Sequence, residues 1–281
     1  GRLSNKADLA YVKWAHSRGL QVWALFSNNF DPDLTTAALS TYERRLNMIK
    51  QLLAFAQMYQ LQGINIDFEN VYTKDKDKLT QFVREMTPLM HEQGLTVSID
   101  VTPISNSEMW SVFYDRKALA EAVDYMIVMA YDEHWAASPI AGSVSSLPWA
   151  ERSVRRIIEE EAVPPAKLIL GIPYYTRLWT ETAEGGETKV SSKTFSMDAA
   201  QQWISERKLK PVFDPATGQN YAEYKEKDGV LHRIWLEDET SIKARVQLVH
   251  KYGLAGVATW RRGFESEHIW SVLNEALLAR Q

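Results

Sequence analysis

Leu61-Gln62-Gly63-Ile64-Asn65-Ile66-Asp67-Phe68-Glu69-Asn70 decides how the rest of the chain is read. Ile64, Ile66 and Phe68 alternate with Asn65, Asp67 and Glu69, a period of two that predicts a β-strand. Side chains at i, i+2 and i+4 share one face, so an amide and two carboxylates point the same way. One reading is an antiparallel edge strand with a wet outer face. The other follows from context: a long amphipathic helical stretch precedes this strand and another follows it, the alternation of a parallel β/α sheet. Parallel strands are normally covered on both faces, so an inward polar row needs a reason. In a (β/α)8 barrel the apolar row faces the helices and the polar row climbs the interior to the C-terminal mouth, where active sites sit. Glu69, last in the row, is the catalytic candidate.

Working outward, the sequence predicts helices over Lys6–Arg18, from a capping box at Ser40 and Glu43 to about Tyr59, and from about Lys74 to Glu92. Further helices are expected over Arg116–Ala122, Pro148–Glu161, Ser241–Tyr252 and Ser266–Leu278, with Asp31–Leu39 a loop or short helical turn. Six strands of barrel type begin near residues 21, 63, 95, 125, 167 and 256. The rhythm breaks between about Thr176 and Leu236, where a helix over Asp198–Arg207 and a hairpin turn at Asp228-Gly229 predict a small α+β insertion. The domain reading is thus a barrel of residues 1–175 and 237–281 with a subdomain of 176–236 inserted. Trp179, Tyr221, Tyr224 and Trp235 within it either stack on sugars or form its own core.

A length of 281 residues suits one such barrel. A net charge of −4 gives no electrostatic case for nucleic acid or an anionic membrane. Cysteine is absent, the six histidines are scattered and no Gly-rich phosphate loop occurs, so no cofactor or metal site is expected. No run reaches the roughly 18 apolar residues of a membrane span. No signal peptide opens at Gly1, although a leader removed earlier would leave no trace.

Asp67 and Glu69 are two apart on one strand and cannot flank a sugar ring from opposite faces, which argues against both ordinary two-carboxylate geometries of glycoside hydrolysis. Two neighbouring carboxylates do push their pKa values apart, a route to a protonated acid near neutral pH. The run Gln62 to Glu69 resembles the D-G-x-D-x-D-x-E signature on the fourth barrel strand of glycoside hydrolase family 18, the chitinase-like family. Its final Asp and Glu are kept, while Gln62 and Asn65 stand where the two earlier acids would be. Met129-Ala130-Tyr131-Asp132 resembles the family's M-x-Y-D after strand six, and Gly256-Val257-Ala258-Thr259-Trp260 its last strand. The Asn-x-Asp-x-Glu form with Phe68 is most similar to the branch of spore-cortex and spore-germination hydrolases.

The resemblance implies a (β/α)8 TIM barrel whose strands three to eight are visible and whose strands one and two have no counterpart upstream of Lys6. From this we expect an N-terminus that has been truncated or processed, with open edges beside the third and eighth strands. It also implies substrate-assisted, retaining catalysis, in which the 2-acetamido carbonyl is the nucleophile. Glu69 would be acid and then base, Asp67 would hold the acetamido N–H, and Tyr131 would position its oxygen. Asn65 would hydrogen-bond Asp67 without adding charge, Asp132 would contact the sugar or the cleft wall, and Trp260 would floor the site. Asn28 and Tyr174 at the same rim are further substrate contacts. Asp100, on the inward row of the next strand, either replaces the lost acid or is an ordinary solvated or salt-bridged Asp. The implied partner is a polysaccharide containing N-acetylglucosamine, peptidoglycan ahead of chitin, cleaved outside the cell at the wall or spore envelope. A cell-wall-binding module outside this chain would fit that role. The alternative is a non-catalytic glycan-binding protein, against which stands the retained Glu69.

Overall fold

The computed structural model describes residues 2–279. The predicted domain limits at Gly1 and Gln281 therefore lie outside the described residues. The chain forms two compact units: the chain up to Val128 with Arg156–Leu168, and Met129–Arg155 with the chain from Ile169 onward.

The first unit opens with α1 (Leu9–His16), started by Asp8, whose carboxylate accepts from the Ala10 and Tyr11 N–H groups. After β1 (Trp23–Ser27), the segment expected as a loop or short helical turn is a two-turn helix, α2 (Pro32–Leu39). Its start signal is local: the Asp31 side chain accepts from Leu34 N–H and Pro32 sits in the first turn. Two turns are too short for a period to show. In α3 (Tyr42–Tyr59) the cap is Thr41, one residue later than predicted. Then come β2 (Gly63–Asp67), α4 (Lys76–His91), β3 (Thr96–Val101), α5 (Arg116–Ala122) and β4 (Tyr125–Met129).

Strands β1 to β4 pair in chain order and in parallel. Ile64, Ile66 and Phe68 are buried, while Asn65, Asp67 and Glu69 are half-buried. The reason is packing: Phe68 stacks on Phe82 of α4 at 6.2 Å and meets Phe26 of β1 at 5.1 Å, so the apolar row faces the helices. Burying each such side chain stabilises by about 1.5–3 kcal/mol, which fixes the register of the polar row on the opposite face. Gly63 is required there by close approach. A Cβ would lie 2.8 Å from the Trp23 ring and 2.7 Å from the Thr96 carbonyl. With the ring lying against Gly63, Trp23 stacks on Tyr125 of β4 at 6.1 Å.

Helix α6 (Leu147–Glu160) divides between the two units. In the second unit β5 (Leu168–Pro173) is followed by β6 (Tyr175–Glu184), β7 (Glu187–Ser196), α7 (Met197–Glu206), β8 (Val212–Asp214), β9 (Gln219–Lys225) and β10 (Leu231–Trp235). Then come α8 (Glu239–Tyr252), β11 (Gly256–Trp260) and α9 (Ile269–Leu278). Strand β11 pairs with β5 in parallel. Strands β6 to β10 form an antiparallel sheet in the order β7-β6-β10-β9-β8. Ala200, Trp203 and Ile204 of α7 pack on it against Leu178, Ala222 and Ile234. The long β6–β7 hairpin was not predicted. Much of its length is polar on both faces, so no apolar alternation marks it. Trp179 and Trp235 are buried and belong to the core here, whereas Tyr224 is exposed.

Candidate active site

The polar row of the first unit is assembled by strand register. Asn65 lies opposite Ser98, Ser27 opposite Asp67, and Asp100 follows Ser98 by two on β3. Asp67 is the last residue of β2, and Glu69 continues the same face just beyond it. Asn65 Nδ2 donates to Asp100 Oδ1 at 3.0 Å, not to Asp67 as the sequence led us to expect. Asp100 lies diagonally from Asn65, one strand over and two residues on, a separation of about 7–8 Å that the two side chains span between them.

Burial then sets the charges. It holds the Asp67 carboxyl above the usual carboxylate range. Asp100 is pushed well above that range, first by burial, then by the negative charges of Asp67 and Glu69, with the Asn65 amide opposing. Asp67 Oδ1 is buried and has no hydrogen-bond partner among the described residues, nor has Asn65 Oδ1. Asn28 is buried and hydrogen-bonds the backbone of Glu69: Nδ2 donates to Glu69 O at 2.7 Å, and Glu69 N–H donates to Oδ1 at 3.1 Å. Tyr114, which the sequence reading passed over, donates from its hydroxyl to Phe68 O at 2.8 Å. Thus the structure gathers Asn28, Asn65, Asp67, Glu69 and Asp100 within the first unit.

The other predicted residues lie in the second unit. Asp132 follows Tyr131 in the left-handed region, φ 60°, and its Oδ1 accepts from the Tyr175 hydroxyl at 2.7 Å and from Arg177 Nη2 at 2.8 Å. Tyr131 meets the Tyr175 ring edge-on at 6.3 Å. Tyr175 and Arg177 were not singled out from the sequence. Their i, i+2 spacing at the start of β6 was the available signal, hidden because the strand was read as ending there. Tyr174 is fully buried, edge-on to Trp270 of α9 at 5.5 Å, with its hydroxyl pushed up to about 12 by burial. Alternation therefore sends Tyr174 toward a helix and Tyr175 to Asp132. Trp260 ends β11 exposed, and its carbonyl accepts from Tyr174 N–H at 2.8 Å. Among the described residues no three His, Cys, Asp or Glu side chains converge as metal ligands would, and no helix is long and apolar enough to cross a membrane.

The family model for glycosyl hydrolases family 18 matches residues 4–265. An uncharacterized glycosylase, YvbX, of Bacillus subtilis (strain 168) is 26% identical over 98% of this chain and 80% of its own length. The cortical fragment-lytic enzyme of Bacillus anthracis is 26% identical over 89% of this chain, which spans only 57% of that enzyme. Among solved structures, a chitinase from Chromobacterium violaceum superposes with a TM-score of 0.88 at 26% identity, covering 100% of this chain and 87% of that one. The fold is accordingly a partial (β/α)8 barrel with a small β insertion. On the family match, the chain belongs to glycosyl hydrolases family 18, the chitinase-like glycoside hydrolases.

Proposed function

We propose that the chain cleaves β-1,4 bonds next to N-acetylglucosamine with retention, using the substrate's own acetamido group as nucleophile. The observation that carries this is Asp67 Oδ1, a buried acceptor with no hydrogen-bond partner among the described residues, at the end of β2 and two residues before Glu69. An acetamido N–H supplies the donor that oxygen lacks. In the first step the acetamido carbonyl oxygen bonds to the anomeric carbon, the glycosidic C–O bond breaks, and the Glu69 proton goes to the leaving oxygen. Asp67 offsets the positive charge of the resulting oxazolinium ion. Water then bonds to the anomeric carbon from the face the leaving group vacated, the bond from that carbon to the acetamido oxygen breaks to restore the acetamido group, and Glu69 takes the water's proton. Tyr131 orients the acetamido oxygen, with Asp132 tied beside it by Tyr175 and Arg177. Trp260 gives the sugar ring an apolar face.

Peptidoglycan is the favoured substrate, and the likeness to a cortical fragment-lytic enzyme supports it together with the Asn65 form of the motif. That reading places the chain outside the cytoplasm, at the wall or spore envelope, where a separate cell-wall-binding module would serve it. Chitin is the second reading, favoured by the likeness to a chitinase. Segment 176–236 is read as a subdomain inserted in a barrel of 1–175 and 237–281, with Arg177 of that segment donating to Asp132. Digestion of purified peptidoglycan and of chitin oligomers in parallel, with mass analysis of products, tests the proposal. Muropeptides ending in reducing N-acetylglucosamine are expected. Chitin products alone would transfer the activity to the second reading, and no cleavage of either would reject it.

A further inference from the structure

We infer that Asn28 and Tyr114 are positioning residues for Glu69, fixing the direction of its side chain by tethering both peptide groups that flank its Cα. This rests on the reading of Glu69 as the proton donor. The last register pair of β1 and β2 is Ser27 with Asp67. Beyond it the chain after β1 turns away, with Asn29 at φ 55° and Phe30 at φ 58°, so the ladder that would hold Glu69 has ended. The Asn28 amide takes the place of the missing peptide. It accepts from Glu69 N–H and donates to Glu69 O, a pair of roles that a side-chain amide fills and a carboxylate or a hydroxyl does not fill in the same geometry.

The amide is itself held. Nδ2 also donates to Thr35 Oγ1 at 2.9 Å, Thr35 Oγ1 donates to Asp31 O at 2.7 Å, and Phe30 N–H donates to Asn28 Oδ1 at 3.3 Å. On the other side, the Tyr114 hydroxyl binds Phe68 O, the carbonyl of the same peptide whose N–H Asn28 accepts. Tyr114 is buried, and the Arg116 guanidinium, anchored on Thr102 O at 2.8 Å, lies 5.2 Å over its ring. Both peptide planes at Glu69 are thereby fixed, and with them the Cα–Cβ bond along which the acid is aimed. Asn28, with only 5% of its surface exposed, acts through this backbone and not on the sugar.

The test compares Asn28→Ala, Tyr114→Phe and Glu69→Gln in the full chain, on the phenyl and dinitrophenyl β-glycosides of N,N′-diacetylchitobiose. A phenol leaves poorly and needs the acid, whereas a dinitrophenol does not. For Asn28→Ala and Tyr114→Phe, kcat on the phenyl glycoside is expected to fall about 10²-fold with KM within about threefold, the scale of a misaimed catalytic group. The loss on the dinitrophenyl glycoside should be about tenfold smaller. A raised KM with unchanged kcat would make Asn28 a substrate contact and overturn the inference. Equal losses on both glycosides, tracking the folded fraction by circular dichroism, would reduce it to a structural clip. If Asn28→Ala does not fold, Tyr114→Phe, which removes a single hydroxyl, decides: full phenyl-glycoside turnover rejects the positioning role. An inactive Glu69→Gln beside active Asn28 and Tyr114 variants sinks only this inference; an active Glu69→Gln sinks the reading beneath it.

Discussion

In the proposed mechanism the chemistry at Glu69 and Asp67 depends on two side chains two residues apart with different surroundings. Glu69→Gln keeps shape and removes the proton, so hydrolysis of a glycan with an unactivated leaving group should drop about 10²–10⁴-fold while binding by calorimetry persists. Asp67→Asn keeps an oxygen for the acetamido N–H but removes the charge, and a loss of about 10²–10³-fold is expected, read from initial rates. Asp100 gives a prediction of the opposite kind, in stability. Its carboxyl is held well above the usual range, so between about pH 4, the unfolded value, and its folded value the native state binds the proton more tightly than the unfolded chain. Stability from this group is therefore full below about pH 4 and declines as pH rises through that window. Asp100→Asn removes the decline and still accepts from Asn65, so its melting temperature should exceed that of the parent at pH 7 and match it near pH 4. A constant difference across that range would show that Asp100 does not titrate as described.

At the scale of elements, α8 shows how one buried pair fastens a helix to the turns around it. Glu237 and Arg245 are both buried, joined at 2.5 and 2.9 Å, with Glu237 also accepting from Ser241 Oγ and from Gln219 Nε2 of β9. Burial raises the Glu237 carboxyl and Arg245 opposes it. Arg245→Met would strand the carboxylate and cost about 3–5 kcal/mol, whereas adding Glu237→Gln should recover much of that, as denaturant unfolding of both variants would report. Elements were legible from the sequence where burial is one-sided. The β2 alternation and α5 stand where the residues put them, because each has one apolar face. The β6–β7 hairpin and α2 did not show, the first because Glu181 to Lys193 is largely polar on both sides, the second because two turns leave no period to detect. Shifts of one to three residues at the starts of α1 and α3 come from the caps Asp8 and Thr41, whose hydrogen bonds set those ends.

For the molecule as a whole, β/α order and three short motifs were enough to expect a barrel of chitinase-like type, and the family match agrees. A thiazoline mimic of the oxazolinium ion should inhibit at concentrations at least about 10²-fold below those at which substrate binds, measured by competition. Equal affinity for the two would remove the acetamido nucleophile from the account. The chain spans little more than half of the cortical fragment-lytic enzyme it resembles, so this measurement speaks for the shared portion alone. By itself the sequence determined which residues alternate, where carboxylates share a face and which family they resemble, because periodicity and composition are local properties of the chain. Only the tertiary structure decided that Asn65 serves Asp100, that Asn28 holds the Glu69 peptides, and that Tyr175 rather than Tyr174 reaches Asp132. Those outcomes depend on cross-strand register and on where a strand stops pairing, and distances across a sheet are not written in the spacing along it.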